Sequence, residues 1–185
     1  MSRSICISLS ILFAILSCKS PEARRPIQSN SGSFITKSIE RNKAIFEKEK
    51  LQITQLLDAN KDQPYHSSET GFWYYYNLKD TIQTKIPELG DHVSFSYDIK
   101  RLDGTAVLSK NEIGTQNCII DKTNQELISG IRDGLKLMKQ GETITFLFPS
   151  YKAFGYYGID NKLGTNVPVQ CTVTLNKINQ TNENY

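Results

Sequence analysis

The chain has 185 residues, of which 38% are hydrophobic and 22% are charged, an ordinary composition for a globular protein. Its net charge of +3 is small and no basic block occurs, so nucleic acid is not predicted as a partner. Repeats and low-complexity runs are absent. The length of the chain is sufficient for one domain of typical size and a tether.

Residues 1–17 have the layout of a secretory signal peptide. One Arg precedes an apolar run from Ile5 to Leu16, shorter than the roughly 20 residues that span a bilayer. The run ends in I-L-S-C at 15–18, which resembles a bacterial lipobox, where the Cys is acylated and becomes the first residue. An ordinary signal peptide and an uncleaved anchor are the alternatives. We therefore expect a cell-envelope protein held through Cys18 to a membrane, the outer one, with its domain facing the periplasm.

Two segments precede the predicted domain. Residues 18–34 are rich in Ser, Pro, Arg and Asn and predict a flexible tether. Residues 35–62 predict an amphipathic helix, because a narrow apolar stripe at helical spacing is interrupted only by Asn42 and Glu49. Packing of this helix on its own domain is favoured over dimerisation through 35–60. The stripe consists of Ile35, Ile39, Phe46, Ile53 and Leu57.

Alternating apolar and polar residues in 92–99, 142–148 and 169–175 predict strands of an antiparallel sheet with one solvent-facing side. The aromatic stretch 71–78 predicts a further strand. A helix is predicted over 123–141, with a capping box of Thr123 and Glu126 and with Gly141 after its last turn. One helix against a sheet of four to six antiparallel strands is an α+β domain, placed at 68–179 and followed by a tail, 180–185.

Residues that would carry acid–base, nucleophilic or metal chemistry do not cluster. The two histidines, His66 and His92, are far apart and are expected in exposed loops, and no Cys/His group has the spacing of metal ligands. No G-x-S-x-G sequence and no glycine-rich phosphate loop occur. Neither a metal nor a cofactor is predicted.

Three motifs resemble those of the FKBP-type peptidyl-prolyl cis-trans isomerases. They are Y-x(5)-D-G at Tyr97–Gly104, G-x(3)-G-L-x-x-M-x-x-G-E at Gly130–Glu142, and P-S-x-x-A-F-G at Pro149–Gly155. The resemblance covers about 71–179. It implies a twisted antiparallel sheet wrapped around one short helix, a ligand pocket between them, and proline-containing polypeptides as clients. With its lipobox and charged helix, the chain is most similar to the FKBP-type lipoproteins associated with gliding motility.

The resemblance also implies which residues line the pocket. Tyr97 matches the family's pocket tyrosine, and Leu127 and Ile128 match the apolar pair that opens the helix, where the Ile128 N–H would hold a ligand carbonyl. Phe154 matches a tyrosine without its hydroxyl. Other positions depart from the family pattern: Val107 and Leu108 replace Phe-Asp, Ile131 replaces Trp, Cys118 and Cys171 replace aromatic residues, and Leu163 is the apolar tip of a loop with Gly164-Thr165 for Pro-Pro. For all of them, plain core packing is the alternative.

The aromatic segment F-P-S-Y-K-A-F-G-Y-Y-G at 148–158 is expected to leave a strand and enter the loop over this pocket. Phe148 is assigned to the core by its alternation with Ile144 and Phe146. Phe154 is assigned to the pocket wall, and Tyr156 and Tyr157 to its rim.

Two functions remain open on sequence grounds. An isomerase of this kind needs no titratable catalyst, which fits the composition of the pocket. A non-catalytic binding or assembly module of a motility machine on the same fold is the alternative, because the missing aromatic rings reduce contact area. Cys118 and Cys171 both point inward, either bridged by a disulfide or free and buried.

Overall fold

Eight strands, three α-helices and one 3-10 turn make up the part of the chain that the structure, a computed structural model, describes: residues 31–122 and 127–179. The predictions for the signal peptide, Cys18, most of the tether, the capping box and the tail lie outside these ranges. In chain order the elements are α1 (Ser31–Ala59), β1 (His66–Ser67), β2 (Trp73–Leu78), β3 (His92–Tyr97), β4 (Ile99–Arg101), β5 (Ala106–Leu108), α2 (Lys110–Ile113), β6 (Gln116–Ile119), α3 (Ser129–Leu135), β7 (Thr143–Phe148), the 3-10 turn (Ser150–Lys152) and β8 (Val169–Asn179).

Helix α1 is the charged amphipathic helix, and it runs over Ser31–Ala59 where the sequence predicted 35–62. Its start includes residues whose Ser-Gly composition had indicated a tether. Its end is set by Asn60, whose backbone and side-chain N–H groups both donate to the Leu56 carbonyl, at 3.2 and 2.8 Å. Side chains that bond free carbonyls in this way close a helix, and Pro64 prevents its resumption four residues later.

The strands form one sheet in the order β1-β2-β7-β8-β3-β6, and the β4–β5 hairpin joins it through β8. All pairs are antiparallel, as predicted. The sheet has more than the expected four to six strands, because β1, β4, β5 and β6 have only two to four residues. Segments this short carry too little alternation to be recognised as strands.

The inner face of the sheet holds the core, and the predicted alternation is largely right. Among the strand residues assigned inward, Tyr97 is only half-buried. The others are buried: Val93, Phe95, Ile99, Ile144, Phe146, Phe148, Val169, Cys171, Val173 and Leu175. The expectation of a solvent-facing outer side is wrong at β7, where Thr145 and Leu147 are 1% and 0% exposed. Thr145 donates to the Asn77 side-chain oxygen, at 2.7 Å, and contacts Thr172.

Helix α1 accounts for further burial beyond the main core. Ile53, from the predicted apolar stripe, is fully buried, and the ring of Phe46 lies 5.8 Å from that of Tyr151. Residues 46, 49 and 53 lie on one face of a helix, and this face contacts the domain. Packing of this part of α1 on its own domain was the favoured prediction.

Helix α3 is shorter than its predicted 123–141, since it ends at Leu135. Leu137 and Met138 donate to Gly134 and Leu135, three residues back, and such bonds tighten and terminate a helix. Gly141, with φ of 87°, therefore serves a turn before β7 instead of capping the helix. The buried Glu142 carboxylate holds this turn by accepting the Lys139 N–H at 2.8 Å.

Candidate functional site

All ten residues predicted to line the pocket belong to one apolar cluster. Five are nearly or fully buried: Val107, Cys118, Ile131, Leu163 and Cys171. The other five are partly accessible and pack against them: Tyr97, Leu108, Leu127, Ile128 and Phe154. Only the five partly accessible residues are open to contact with a bound peptide.

Tyr97 ends β3 and brings a hydroxyl group into this apolar surface. Its ring stacks on Phe95 with centroids 5.9 Å apart, and its backbone lies opposite Val173 of β8. Burial, and to a smaller extent the Cys171 thiol, raise the pKa of Tyr97 above its ordinary value of 10. The hydroxyl group has no hydrogen-bond partner within 31–122 and 127–179 and is not enclosed. The hydroxyl is therefore free of the described protein groups and accessible from outside the core.

Ile128 offers a second donor, from its backbone. It occupies the N-cap position of α3, where its carbonyl accepts from Ile131 and Arg132 at 3.1 and 3.3 Å. Its own N–H has no acceptor among the described residues. The first N–H groups of a helix have no partner inside the helix, and the resemblance predicts that this one binds a ligand carbonyl.

Glycine spacing in α3 sets how closely the helix approaches the sheet under the site. A Cβ on Gly130 would lie 2.6 Å from the Phe148 ring, and one on Gly134 would lie 2.8 Å from Phe146. The two rings stack 5.4 Å apart at 7°. Close approach of helix and strand thus explains the G-x(3)-G motif. It also buries Ile131 completely.

Phe154 is held by the segment after β7. The Ser150 carbonyl accepts from Ala153 and Gly155 at 2.9 and 2.8 Å, and the Gly155 carbonyl accepts from Asn166 at 2.7 Å. Phe154 is half-buried against the core, whereas Tyr156 and Tyr157 are 72% and 91% exposed. Phe148 is fully buried.

Leu163, predicted as the apolar tip of its loop, lies in the core. It is 4% exposed and belongs to the core cluster. Its backbone pairs with Ile159 in both directions, at 2.8 and 2.9 Å, and Gly158 packs directly on its carbonyl. A side chain at Gly158, with φ of 65°, would collide with that carbonyl, so the turn folds Leu163 inward.

The two cysteines are free, so the disulfide alternative is wrong. Cys118 lies opposite Val93, which lies opposite Ile178 on β8, seven residues from Cys171 (178 − 171). At roughly 3.3 Å per residue this is about 23 Å along the sheet, far beyond bridging distance. Cys118 also lies beside Leu135 and Lys136, toward the far end of α3 from Tyr97. Burial raises the pKa of both thiols.

Several contacts around the site were not predicted. Lys152 pairs with the half-buried Asp133 at 2.8 Å, and the Ser129 hydroxyl donates to the Lys152 carbonyl at 3.3 Å, which ties α3 to the segment carrying Phe154. Glu49 of α1 accepts two hydrogen bonds from Ser150. One signal pointed to Glu49: it is a charged residue within an apolar stripe.

The ten predicted pocket residues carry few polar groups. Their polar side-chain atoms are the Tyr97 hydroxyl and the Cys118 and Cys171 thiols, all three with a raised pKa because of burial, and Ile128 adds its backbone N–H. His66 and His92 are exposed as expected, but they lie on β1 and β3 instead of loops. Within 31–122 and 127–179 no group of three His, Cys, Asp or Glu side chains could hold a metal. No helix in those ranges is long and apolar enough to cross a membrane.

Two solved structures share this fold. A peptidyl-prolyl cis-trans isomerase from Pseudomonas syringae pv. tomato has 19% sequence identity and a TM-score of 0.57, over 75% of this chain and 96% of its own. FkpA from Escherichia coli also has 19% identity and a TM-score of 0.57, over 97% of this chain and 82% of its own. At this identity the likeness concerns the fold.

Sequence comparison gives the family. A probable FKBP-type peptidyl-prolyl cis-trans isomerase, FkpA of Neisseria meningitidis serogroup B, is 29% identical over 103 residues, 56% of this chain. This chain spans only 37% of that relative's length. The sequence model described as FKBP-type peptidyl-prolyl cis-trans isomerase matches residues 83–176, which include all ten predicted pocket residues. The chain therefore belongs to the FKBP-type peptidyl-prolyl cis-trans isomerase family.

Proposed function

We propose that the chain accelerates cis-trans isomerisation of X–Pro bonds in polypeptide clients. The observation that carries this proposal is an accessible apolar surface with two polar donors, the Tyr97 hydroxyl and the Ile128 N–H, and no ionisable catalyst. An X–Pro bond rotates over a barrier of roughly 20 kcal/mol because the planar amide has partial double-bond character. That barrier can be lowered without acid or base.

The mechanism follows from where water is excluded. Water bonded to the prolyl amide oxygen stabilises the planar, polarised form, so an apolar surface favours the twisted one. The proline ring would lie against the partly accessible Phe154 and Leu127, with the buried Ile131 in the core behind them. The Ile128 N–H would hold a neighbouring carbonyl, and the enzyme would bind the twisted amide more tightly than either planar form.

We further propose that the protein works in the cell envelope on exported proteins, including those of a gliding-motility machine. The lipobox-like residues 15–18 and the polar segment after them support attachment through an acylated Cys18, with the domain on the periplasmic side of the outer membrane. Clients would then be polypeptides that fold after export.

A second candidate is a binding or assembly module in which isomerisation is incidental. The observation in its favour is that Phe154 lacks a hydroxyl and that Leu108, Ile131 and Cys171 replace an acid and two rings. Each ring buries roughly 150–250 Å², so their loss weakens contact with a proline ring. We expect a slower isomerase with weaker inhibitor binding than the family norm.

Two-dimensional exchange NMR on a proline peptide, with the full chain in detergent, tests the two candidates together. Faster cis-trans exchange that Ile128→Asp abolishes supports the isomerase. Saturable binding without faster exchange supports the module, and neither binding nor exchange contradicts both.

A further inference from the structure

Glu49 of α1 is a buried carboxylate. It is 2% exposed, and among the described residues it has no Lys, Arg or His within ion-pair distance. A buried charge without a counter-charge is unfavourable unless hydrogen bonds compensate for its lost hydration. The hydrogen-bond partners of this carboxylate therefore indicate why α1 carries it on the face that contacts the domain.

Both hydrogen bonds come from one residue. The Ser150 N–H donates to Oε2 of Glu49 at 2.7 Å, and the Ser150 hydroxyl donates to Oε1 at 2.6 Å. Ser150 is itself only 4% exposed. Short bonds to a charged acceptor are about twice as strong as neutral ones, so this pair fixes Ser150 to α1.

Ser150 is also the residue from which the Phe154 segment is folded. Its carbonyl accepts the N–H groups of Ala153 and Gly155, the two neighbours of Phe154 in the chain. One residue therefore binds α1 through its N–H and hydroxyl, and holds the Phe154 backbone through its carbonyl. A shift of Ser150 would move Phe154.

Open space lies on both sides of this contact. Cavities of about 730 and 490 Å³ flank α1, and Glu49 lines both of them. Ile45 and Asn166 line both as well. Asn166, whose N–H donates to the Gly155 carbonyl beside Phe154, thus borders the same open space as Glu49.

We propose that Glu49 is a positioning residue for the proline site, which it serves by holding Ser150 and hence Phe154. This inference rests on the proposed isomerase function. The family match begins at residue 83, so α1 lies outside it and the family pattern does not supply this contact. Helix α1 thereby becomes part of the working site instead of a spacer before it.

Three variants separate positioning from general stability. Glu49→Ala removes both acceptors. Glu49→Gln keeps the shape, since its amide oxygen can accept the Ser150 N–H and its NH2 can donate to the Ser150 hydroxyl. Glu47→Ala, which removes an exposed carboxylate from the same helix, is the matched control.

The full chain in detergent is measured in three ways: kcat/KM on a proline peptide, backbone amide resonances of Phe154 and Gly155, and melting temperature. We expect Glu49→Ala to lower kcat/KM about tenfold or more, because small misplacements of a contact group have effects of this size, and to shift both resonances. For Glu49→Gln we expect a kcat/KM within about threefold of the parent value, because its neutral amide keeps two hydrogen bonds to Ser150. Glu47→Ala should change none of these quantities.

Two results would overturn the proposal. One is a Glu49→Ala protein with parental kcat/KM and unmoved Phe154 and Gly155 resonances. The other is equal loss of activity and melting temperature in Glu49→Gln and Glu49→Ala, which marks a purely structural contact. A parent protein without isomerase activity contradicts the proposed function instead, and the two resonances then still decide whether Glu49 positions the segment.

Discussion

Gly130 of α3 lies against the ring of Phe148, the last residue of β7, so closely that a Cβ would approach three ring carbons to 2.6–2.9 Å. Both residues are fully buried or nearly so, and Phe148 also packs against Phe72, with ring centroids 5.3 Å apart. The ring therefore has little freedom to move. The position of α3 against the sheet therefore depends on the absence of a side chain at Gly130.

Gly130→Ala should destabilise the protein although Ala is the better helix former. Overpacking costs about 1–3 kcal/mol, which exceeds the helix-propensity gain of up to about 1 kcal/mol. We expect the free energy of unfolding to fall by about 1–2 kcal/mol in urea titrations. Gly164→Ala is the control, since its nearest neighbour would be 3.8 Å away and its φ is not positive. Equal stability of the two variants would contradict the packing argument.

The sequence predicted those parts of the fold that are encoded locally. Alternation assigned Phe146 and Phe148 to the core because side chains on a strand alternate between faces. It failed for Leu147, whose burial depends on cover over the outer face, and for strands as short as β1. The Glu49–Ser150 contact joins residues 101 positions apart, and no local pattern encodes such a pairing.

The site residues likewise divide into those placed by local sequence patterns and those placed by contacts between distant segments. All ten predicted pocket residues lie in or against the apolar core cluster, and Cys118 lies by Lys136, the C-cap of α3. Its inward direction followed from alternation, but its distance from Tyr97 followed from strand register. Register depends on the partner strand and was not readable from β6 alone.

Tyr97→Phe should weaken catalysis without weakening the fold. The hydroxyl has no partner in the described part of the chain, so its loss leaves no protein group unsatisfied. One hydrogen bond to the substrate is worth about 0.5–1.5 kcal/mol, which corresponds to a roughly two- to tenfold lower kcat/KM. Tyr75→Phe is the control, because this β2 side chain packs against Tyr65 and does not belong to the apolar core cluster. A large drop in melting temperature for Tyr97→Phe would contradict this assignment.

Isomerisation should be independent of pH between about 6 and 8. Burial raises the pKa of Tyr97 above 10, so its hydroxyl stays protonated, and the raised pKa values of Cys118 and Cys171 keep both thiols neutral. No group of the site then changes charge in this interval. A proline-peptide assay across these buffers should give rates within about twofold. A tenfold change would require a titrating group and exclude the desolvation mechanism.

Glu112 should titrate far below an ordinary Glu. The Ser109 N–H and the Lys162 ammonium, at 2.8 and 2.9 Å, hold its pKa to about 2, compared with 4.5 for the free side chain. Because the pKa is lowered in the folded state, the stabilisation is present above about pH 4.5 and is lost as the pH falls toward 2. Carboxyl NMR shifts of Glu112 should show this midpoint, and Lys162→Ala should raise it. A parental midpoint near 4.5 would disprove both contacts in solution.

Cys18→Ser should release the protein from the membrane or leave it unprocessed. On the lipoprotein hypothesis the thiol of Cys18 carries the acyl groups, and the preceding Ile15-Leu16-Ser17 directs processing at this position. A Ser hydroxyl would not be acylated, so the variant should either accumulate as an unprocessed, larger species or appear in the soluble fraction. Cys6→Ser is the matched control, because it changes a cysteine within the apolar run and leaves residues 15–18 intact. Fractionation with gel mobility and mass spectrometry of the N-terminus reports both processing and acylation. If Cys18→Ser stays in the membrane with the mobility of the parent protein, an uncleaved apolar anchor replaces the lipid.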